Sequence, residues 1–111
     1  MNIQILRVED VAILKVGKSL TIFDIEDFDN INLDIPEDVR SLILDLSNTT
    51  EIDSVGLSVV LRIVSLAKSR NIRVSIVASD NKVLFIIKID RLDKIIPIYT
   101  SLDEALNSMK G

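Results

Sequence analysis

Leu42-Ile-Leu-Asp-Leu-Ser-Asn-Thr-Thr-Glu-Ile-Asp-Ser-Val-Gly-Leu57 decides the reading of this chain. A nearly continuous apolar run, Ser41–Leu46, gives way to a polar loop, and an apolar-rich helix over Ser54–Ser69 starts at Asp53-Ser54. Such a run after a turn signal is the pattern of a strand buried on both faces. Asp53 is a strong N-cap type, because its carboxylate accepts the free amides of a first helical turn. A serine hydroxyl is thereby set at the start of a helix, just past the carboxyl end of a buried strand. A helix N-terminus favours negative charge, so the fold tolerates a phosphoryl group on Ser54. The Asp53 charge opposes that preference with a similar magnitude. Phosphorylation is therefore expected to leave stability nearly unchanged while adding about −1.5 to −2 charge, and bulk, to the surface.

Before this stretch, Ile3–Arg7 and Val11–Val16 alternate apolar and polar residues around Glu9-Asp10, which predicts a hairpin ending near Gly17. A helix is expected over about Phe23–Asn30, inside a segment with seven carboxylates from Asp24 to Asp38 and no Lys or Arg. Pro36 ends what precedes it. After the Ser54–Ser69 helix, Arg73–Val77 reads as a second buried strand. Ser79 or Asp80 can cap a helix over Lys82–Ile89. Ile95–Tyr99 reads as a strand that Pro97 confines to an edge. Ser101-Leu-Asp-Glu104 is a capping box opening a last helix through about Met109. The order β-β-α-β-α-β-α-β-α implies an α/β fold: an N-terminal hairpin and a mostly parallel sheet with helices packed against it, in one domain over residues 1–111.

The composition narrows the function classes. Among 111 residues, 48% are hydrophobic and 4% aromatic, so the core is built from Ile, Leu and Val. A net charge of −4 argues against nucleic acid as a partner, since phosphate contacts need a basic face. Without cysteine or histidine, disulfides, the usual zinc sites and most nucleophile–histidine pairs are excluded. Asp45, Glu51 and Asp53 gather near one strand end. Carboxylates in that arrangement can do acid–base work or hold Mg²⁺, yet no Gly-rich phosphate loop accompanies them. Neither catalysis, a metal nor a cofactor is expected. No apolar run is long enough for a bilayer, and the first residues lack a signal-peptide pattern, so no direct membrane insertion and a cytoplasmic location are expected.

On the Ser54–Ser69 helix, Ser54, Ser58, Arg62, Ser65 and Ser69 share a polar arc of about 80° at roughly 100° per residue. Leu57, Val60, Leu61, Val64 and Ala67 form the expected core face. Val55, Val59 and Leu66 are expected on its flank, partly in water, as the edge of a partner surface. Gly56 leaves the first turn bare and lets another backbone come close. The nearly continuous apolar stretch Asn81–Ile89 predicts either a helix buried on the sheet or a contact for self-association or a membrane complex.

Ile52-Asp53-Ser54-Val55-Gly56-Leu57, behind the strand Leu42–Leu46, resembles the signature of the STAS domain of bacterial anti-sigma factor antagonists. The resemblance runs from Ser41 to Leu106. It takes in Arg73–Val77, Leu92-Asp93-Lys94-Ile95-Ile96 and Ser101–Leu106 with Glu104-Ala105, and Gly17 matches the family glycine after the second strand. The resemblance implies partner switching. The unmodified protein binds an anti-sigma factor that is itself a serine kinase, which frees the sigma factor. Phosphorylation of Ser54 breaks that complex, and a PP2C-type phosphatase reverses it. Asp53 and Gly56 would support the phosphosite; Gly17, Lys18, Ser19, Thr21, Val55, Ser58, Val59 and Arg62 would meet the partner. Three features depart from the family pattern. Ser58 stands where many antagonists have glycine, Val55 replaces a Ser or Ala, and Lys18-Ser19-Leu20-Thr21 replaces an acidic-then-apolar start to a helix. These departures keep a second reading: a non-switching scaffold subunit of a stress-sensing or transporter complex.

Overall fold

The computed structural model describes residues 3–24, 26 and 35–109. Strand β1 (Ile3–Val8) and strand β2 (Val11–Val16) form the expected hairpin, turned by Glu9 in the left-handed region at φ 54°. Strand β3 (Ser19–Leu20) and a 3-10 turn (Ile22–Asp24) follow. The helix expected over Phe23–Asn30 lies for the most part outside the described residues. Then come strand β4 (Ser41–Asp45), strand β5 (Glu51–Ile52), helix α1 (Ser54–Ser69), strand β6 (Arg73–Val77), helix α2 (Asn81–Ile89), strand β7 (Ile98–Tyr99) and helix α3 (Leu102–Met109).

The main sheet has the order β1-β2-β4-β6-β7. Only the β1–β2 pair is antiparallel; β2–β4, β4–β6 and β6–β7 are parallel. Every residue of β4 is buried, as its unbroken apolar run predicts. Leu42 and Leu44 face a core shared with Val60, Ile63 and Val64 of α1 and Val83 and Ile87 of α2. Ile43 and Val77 face the other side, where Ala105 and Met109 of α3 cover them. Each fully buried Val or Ile of α1 is worth roughly 1.5–3 kcal/mol. Two hydroxyls inside the sheet, Ser41 Oγ and Ser75 Oγ, are buried without a hydrogen-bond partner among the described residues.

The helix starts are chemical. Asp53 caps α1, and Asp80 caps α2 by accepting from Lys82 N at 2.9 Å and Val83 N at 3.2 Å. At α3 the Glu104 amide donates to Ser101 Oγ at 3.2 Å, while the Glu104 carboxylate takes the hydroxyls of Thr100 and Ser101.

Four expectations change. The last strand is an edge strand but spans only Ile98–Tyr99. Pro97 has no amide, and the amides of Ile95 and Ile96 are spent on Leu92 O at 3.0 and 2.9 Å, which closes a 3-10 turn over Leu92–Lys94 instead. On α1, Val59 is not a flank residue but core, 3% exposed, whereas Leu61 is turned out at 43%. The buried arc runs from Val59 through Ile63 and Val60 to Leu57, so its centre sits away from where the polar arc alone would put it. On α2 only Val83 and Ile87 are buried, and Phe85 and Ile89 are left at 63% and 61% exposure. Between the hairpin and α1, the two-residue strands β3 and β5 pair in parallel, Ser19 with Glu51 and Leu20 with Ile52, as a small second sheet.

Candidate functional site

The β3–β5 pairing builds the site. Lys18 O accepts from Thr50 N at 2.9 Å and Glu51 N at 3.2 Å, and the buried Thr49 hydroxyl donates to Gly17 O at 2.7 Å. The segment from Gly17 to Leu20 is thus zipped to the loop that leads into α1. Gly17, Lys18 and Ser19, about 30 residues upstream in sequence, come to lie against Thr49, Thr50 and Glu51, the residues that lead to Asp53 and Ser54.

Asp53 ties the two segments together. Its Oδ1 accepts from Gly56 N at 2.8 Å, which caps α1, and its Oδ2 accepts from Ile22 N at 3.0 Å, which holds the 3-10 turn. Its own amide reaches Leu20 O at 3.4 Å. The Gly56 amide first, and the Ile22 amide second, hold the Asp53 carboxyl below the usual carboxylate range, since both favour the ionised form. Gly56 is buried at the closest approach: a Cβ there would stand 1.9 Å from Leu20 O. Only glycine lets β3 and the first turn of α1 meet at this distance.

Ser54 is exposed on the first turn, and among the described residues its hydroxyl has no hydrogen-bond partner. The other hydroxyls nearby are occupied. Ser58 Oγ donates to Val55 O at 2.7 Å. Ser19 Oγ and Thr21 Oγ1 both donate to Asp24 Oδ2, at 3.0 and 3.1 Å, and the Thr21 amide joins them at 2.9 Å. Asp24 is buried and acts as the post of this turn.

Of the sequence-derived surface, Lys18, Ser58 and Arg62 are exposed and Gly17, Ser19, Thr21 and Val55 are half-buried around Ser54. Val59 is withdrawn into the core. Ile22 and Phe23 were not anticipated: they protrude from the turn that Asp53 holds, 53% and 93% exposed. Leu61 is the second omission; two turns from Ser54, it stands on the same exposed stripe as Ser54 and Ser58. The carboxylates near the strand end do not converge. Asp45 is buried and accepts from Ser47 N at 2.9 Å, Asp53 is the cap, and among the described residues no three potential ligands are grouped to hold a metal.

The model of the STAS domain family matches residues 2–105. The chain belongs to the STAS domain family. The domain is 31% identical, over 94% of each chain, to a Thermotoga neapolitana protein provisionally named an anti-sigma factor antagonist. A crystal structure from Thermotoga maritima, provisionally named in the same way, superposes on it with a TM-score of 0.86 at 27% identity, covering 98% of this chain and 95% of that one. The anti-sigma factor antagonist SpoIIAA in its unphosphorylated form shares the fold, with a TM-score of 0.68, 13% identity and 98% coverage of both chains. The STAS fold here is a single α/β domain whose mixed, mostly parallel sheet carries, among the described residues, three helices.

Proposed function

We propose that this STAS domain is an anti-sigma factor antagonist switched by phosphorylation of Ser54. In its unmodified form it binds a cytoplasmic anti-sigma factor that is a serine kinase, and so releases a sigma factor. The observation that carries the reading is the exposed Ser54 hydroxyl, without a partner among the described residues, on a helix start fixed by Asp53 and Gly56. In the switching step Ser54 Oγ attacks the γ-phosphorus of ATP held by the kinase. The new O–P bond forms as the bond to the β-phosphate bridge breaks, ADP leaves, and the hydroxyl proton passes to a base of the kinase. A PP2C-type phosphatase hydrolyses the ester back. Asp53 keeps the serine in place, and the rim of Lys18, Val55, Ser58, Arg62, Phe23 and Leu61 meets the partner. The anti-sigma factor named for its relatives is the partner this rim is proposed to fit.

Incubation with the cognate kinase and ATP is expected to add one phosphoryl group, on Ser54. Mass spectrometry that places it on Ser58, Thr49 or Thr50 would overturn the assignment. Ser54→Asp is expected to change unfolding free energy by less than about 1 kcal/mol, because the helix dipole and the Asp53 charge oppose each other. It should still weaken partner binding at least tenfold. A domain that binds such a kinase without being modified by it is the scaffold of the second reading.

A further inference from the structure

Among the described residues, strand β1 is an outer strand of the main sheet and pairs along one edge, with β2. That pairing runs unbroken over six residues, from Ile3 opposite Val16 to Val8 opposite Val11, so no bulge twists the free edge away. Gln4 to Val8 are all exposed. Ile5, at 58%, lies on the α1–α2 side of the sheet, opposite Leu14, while Leu6 and Val8, at 47% and 42%, lie on the α3 side, opposite Ile13 and Val11. The edge therefore carries exposed apolar side chains on both faces. Edge strands are ordinarily blunted by lysine, proline, a bulge or a covering element, because their outward N–H and C=O groups template another strand. β1 contains neither Lys nor Pro. Its one charge, Arg7, is turned back onto Asp38 and the Glu9 carbonyl. The backbone dictates the occupant's form: an extended strand, which alone satisfies alternating donors and acceptors over this length.

We propose that the occupant is β1 of a second copy, paired antiparallel about a two-fold axis at Leu6. This register sets Leu6 against Leu6, Gln4 against Val8 and Ile5 against Arg7, and it covers just the five exposed residues. A two-fold at Ile5 would instead spend contacts on Ile3, which is already buried. The charges permit self-pairing: each Arg7 is neutralised by its own Asp38, so no unpaired like charges meet, and the aliphatic stem of Arg7 lies over Ile5. A single short strand pair buries less than the roughly 1,000 Å² of a permanent interface, so the dimer is reversible, with a dissociation constant in the micromolar-to-millimolar range. The two copies carry a net charge of −4 each, so added salt strengthens the pairing.

The chain has no cysteine, so Leu6→Cys reports the pairing directly. Directly opposed residues of an antiparallel pair have Cα atoms about 4.5–5.5 Å apart, within the reach of a disulfide. Oxidised Leu6→Cys is expected to give a covalent dimer, while Ile89→Cys, exposed on α2, is not. Sedimentation of the unaltered chain between about 10 µM and 1 mM is expected to show a mass rising toward that of a dimer. Leu6→Lys should stay monomeric with an unchanged melting temperature. Should Leu6→Lys fail to fold, Gln4→Lys, at an exposed polar position opposite Val8, provides the same readout. A monomer across the whole range, a dimer that the lysine variants leave intact, or cross-linking as rapid at Ile89 as at Leu6 would each overturn the proposal.

Discussion

Gly56→Ala isolates the contact on which the site is built. The added Cβ would lie 1.9 Å from Leu20 O, 2.7 Å from Leu20 C and 3.0 Å from Leu20 Cγ. Ordinary packing asks for about 3.5 Å, so β3 and the first turn of α1 must part by roughly 1.5 Å. The hydrogen bonds across that seam have no such slack: Asp53 N to Leu20 O is already 3.4 Å, and Ile22 N to Asp53 Oδ2 is 3.0 Å. Losing two or three of them costs about 0.5–1.5 kcal/mol each. Alanine returns up to about 1 kcal/mol of helix propensity. The net expectation is a loss of about 1–3 kcal/mol, seen in urea titration as a lower midpoint with an unchanged slope. The melting temperature should fall by on the order of 5–15 °C. Hydrogen exchange should localise the change, with the Ile22 amide losing protection ahead of the amides of β4. If Gly56→Ala is as stable as the unaltered chain, propensity has won, β3 does not press on the helix start, and the account of how Ser54 is positioned fails.

Other perturbations separate core from surface. Val59→Lys places an unpaired charge in the core and should destabilise by about 3 kcal/mol or more in chemical denaturation; a variant that melts normally would put Val59 back on the surface. Phe23→Ala and Leu61→Lys, both at exposed positions, should each change stability by less than about 0.5 kcal/mol yet weaken binding of the proposed anti-sigma partner at least tenfold, read by titration calorimetry. For Asp53 the folded-state pKa lies below its unfolded value, so its contribution is fully present above the ordinary carboxylate range and is lost as pH falls beneath it. Asp53→Asn keeps one accepting oxygen for Gly56 but turns an amide against Ile22 N–H. The gap in stability between it and the unaltered chain, measured by denaturation across pH, should be wide at neutrality and close in acid.

Elements whose cause is local were legible in the sequence. The alternation of β1 and β2, the apolar runs of β4 and β6, and the capping carboxylates of Asp53 and Asp80 are each decided within a few residues of chain. The strands β3 and β5 were not, because two residues hold no period; they exist through the carbonyls of Gly17, Lys18 and Leu20 meeting Thr49, Thr50, Glu51 and Asp53. The Ser54 helix start was visible, but the ground around it was not, since Ile22 and Phe23 reach the site through a bond to Asp53 that spans 31 positions. The core face of α1 was misjudged for a related reason. Apolar residues occupy most of its circumference, and only the packing of the shared core chooses Val59 over Leu61.

The helix start that carries Ser54 is held in part by atoms from outside its own stretch of sequence. A peptide copied from the α1 start would carry Asp53, Ser54 and Gly56, but it would lack the Leu20 carbonyl under the first turn and the Ile22 amide that holds the second carboxylate oxygen. An enzyme that modifies Ser54 in this setting reads a conformation rather than a linear motif. On the proposed function it would pass over the same serine in a nascent or unfolded chain, so that only molecules that have finished folding would enter the proposed cycle.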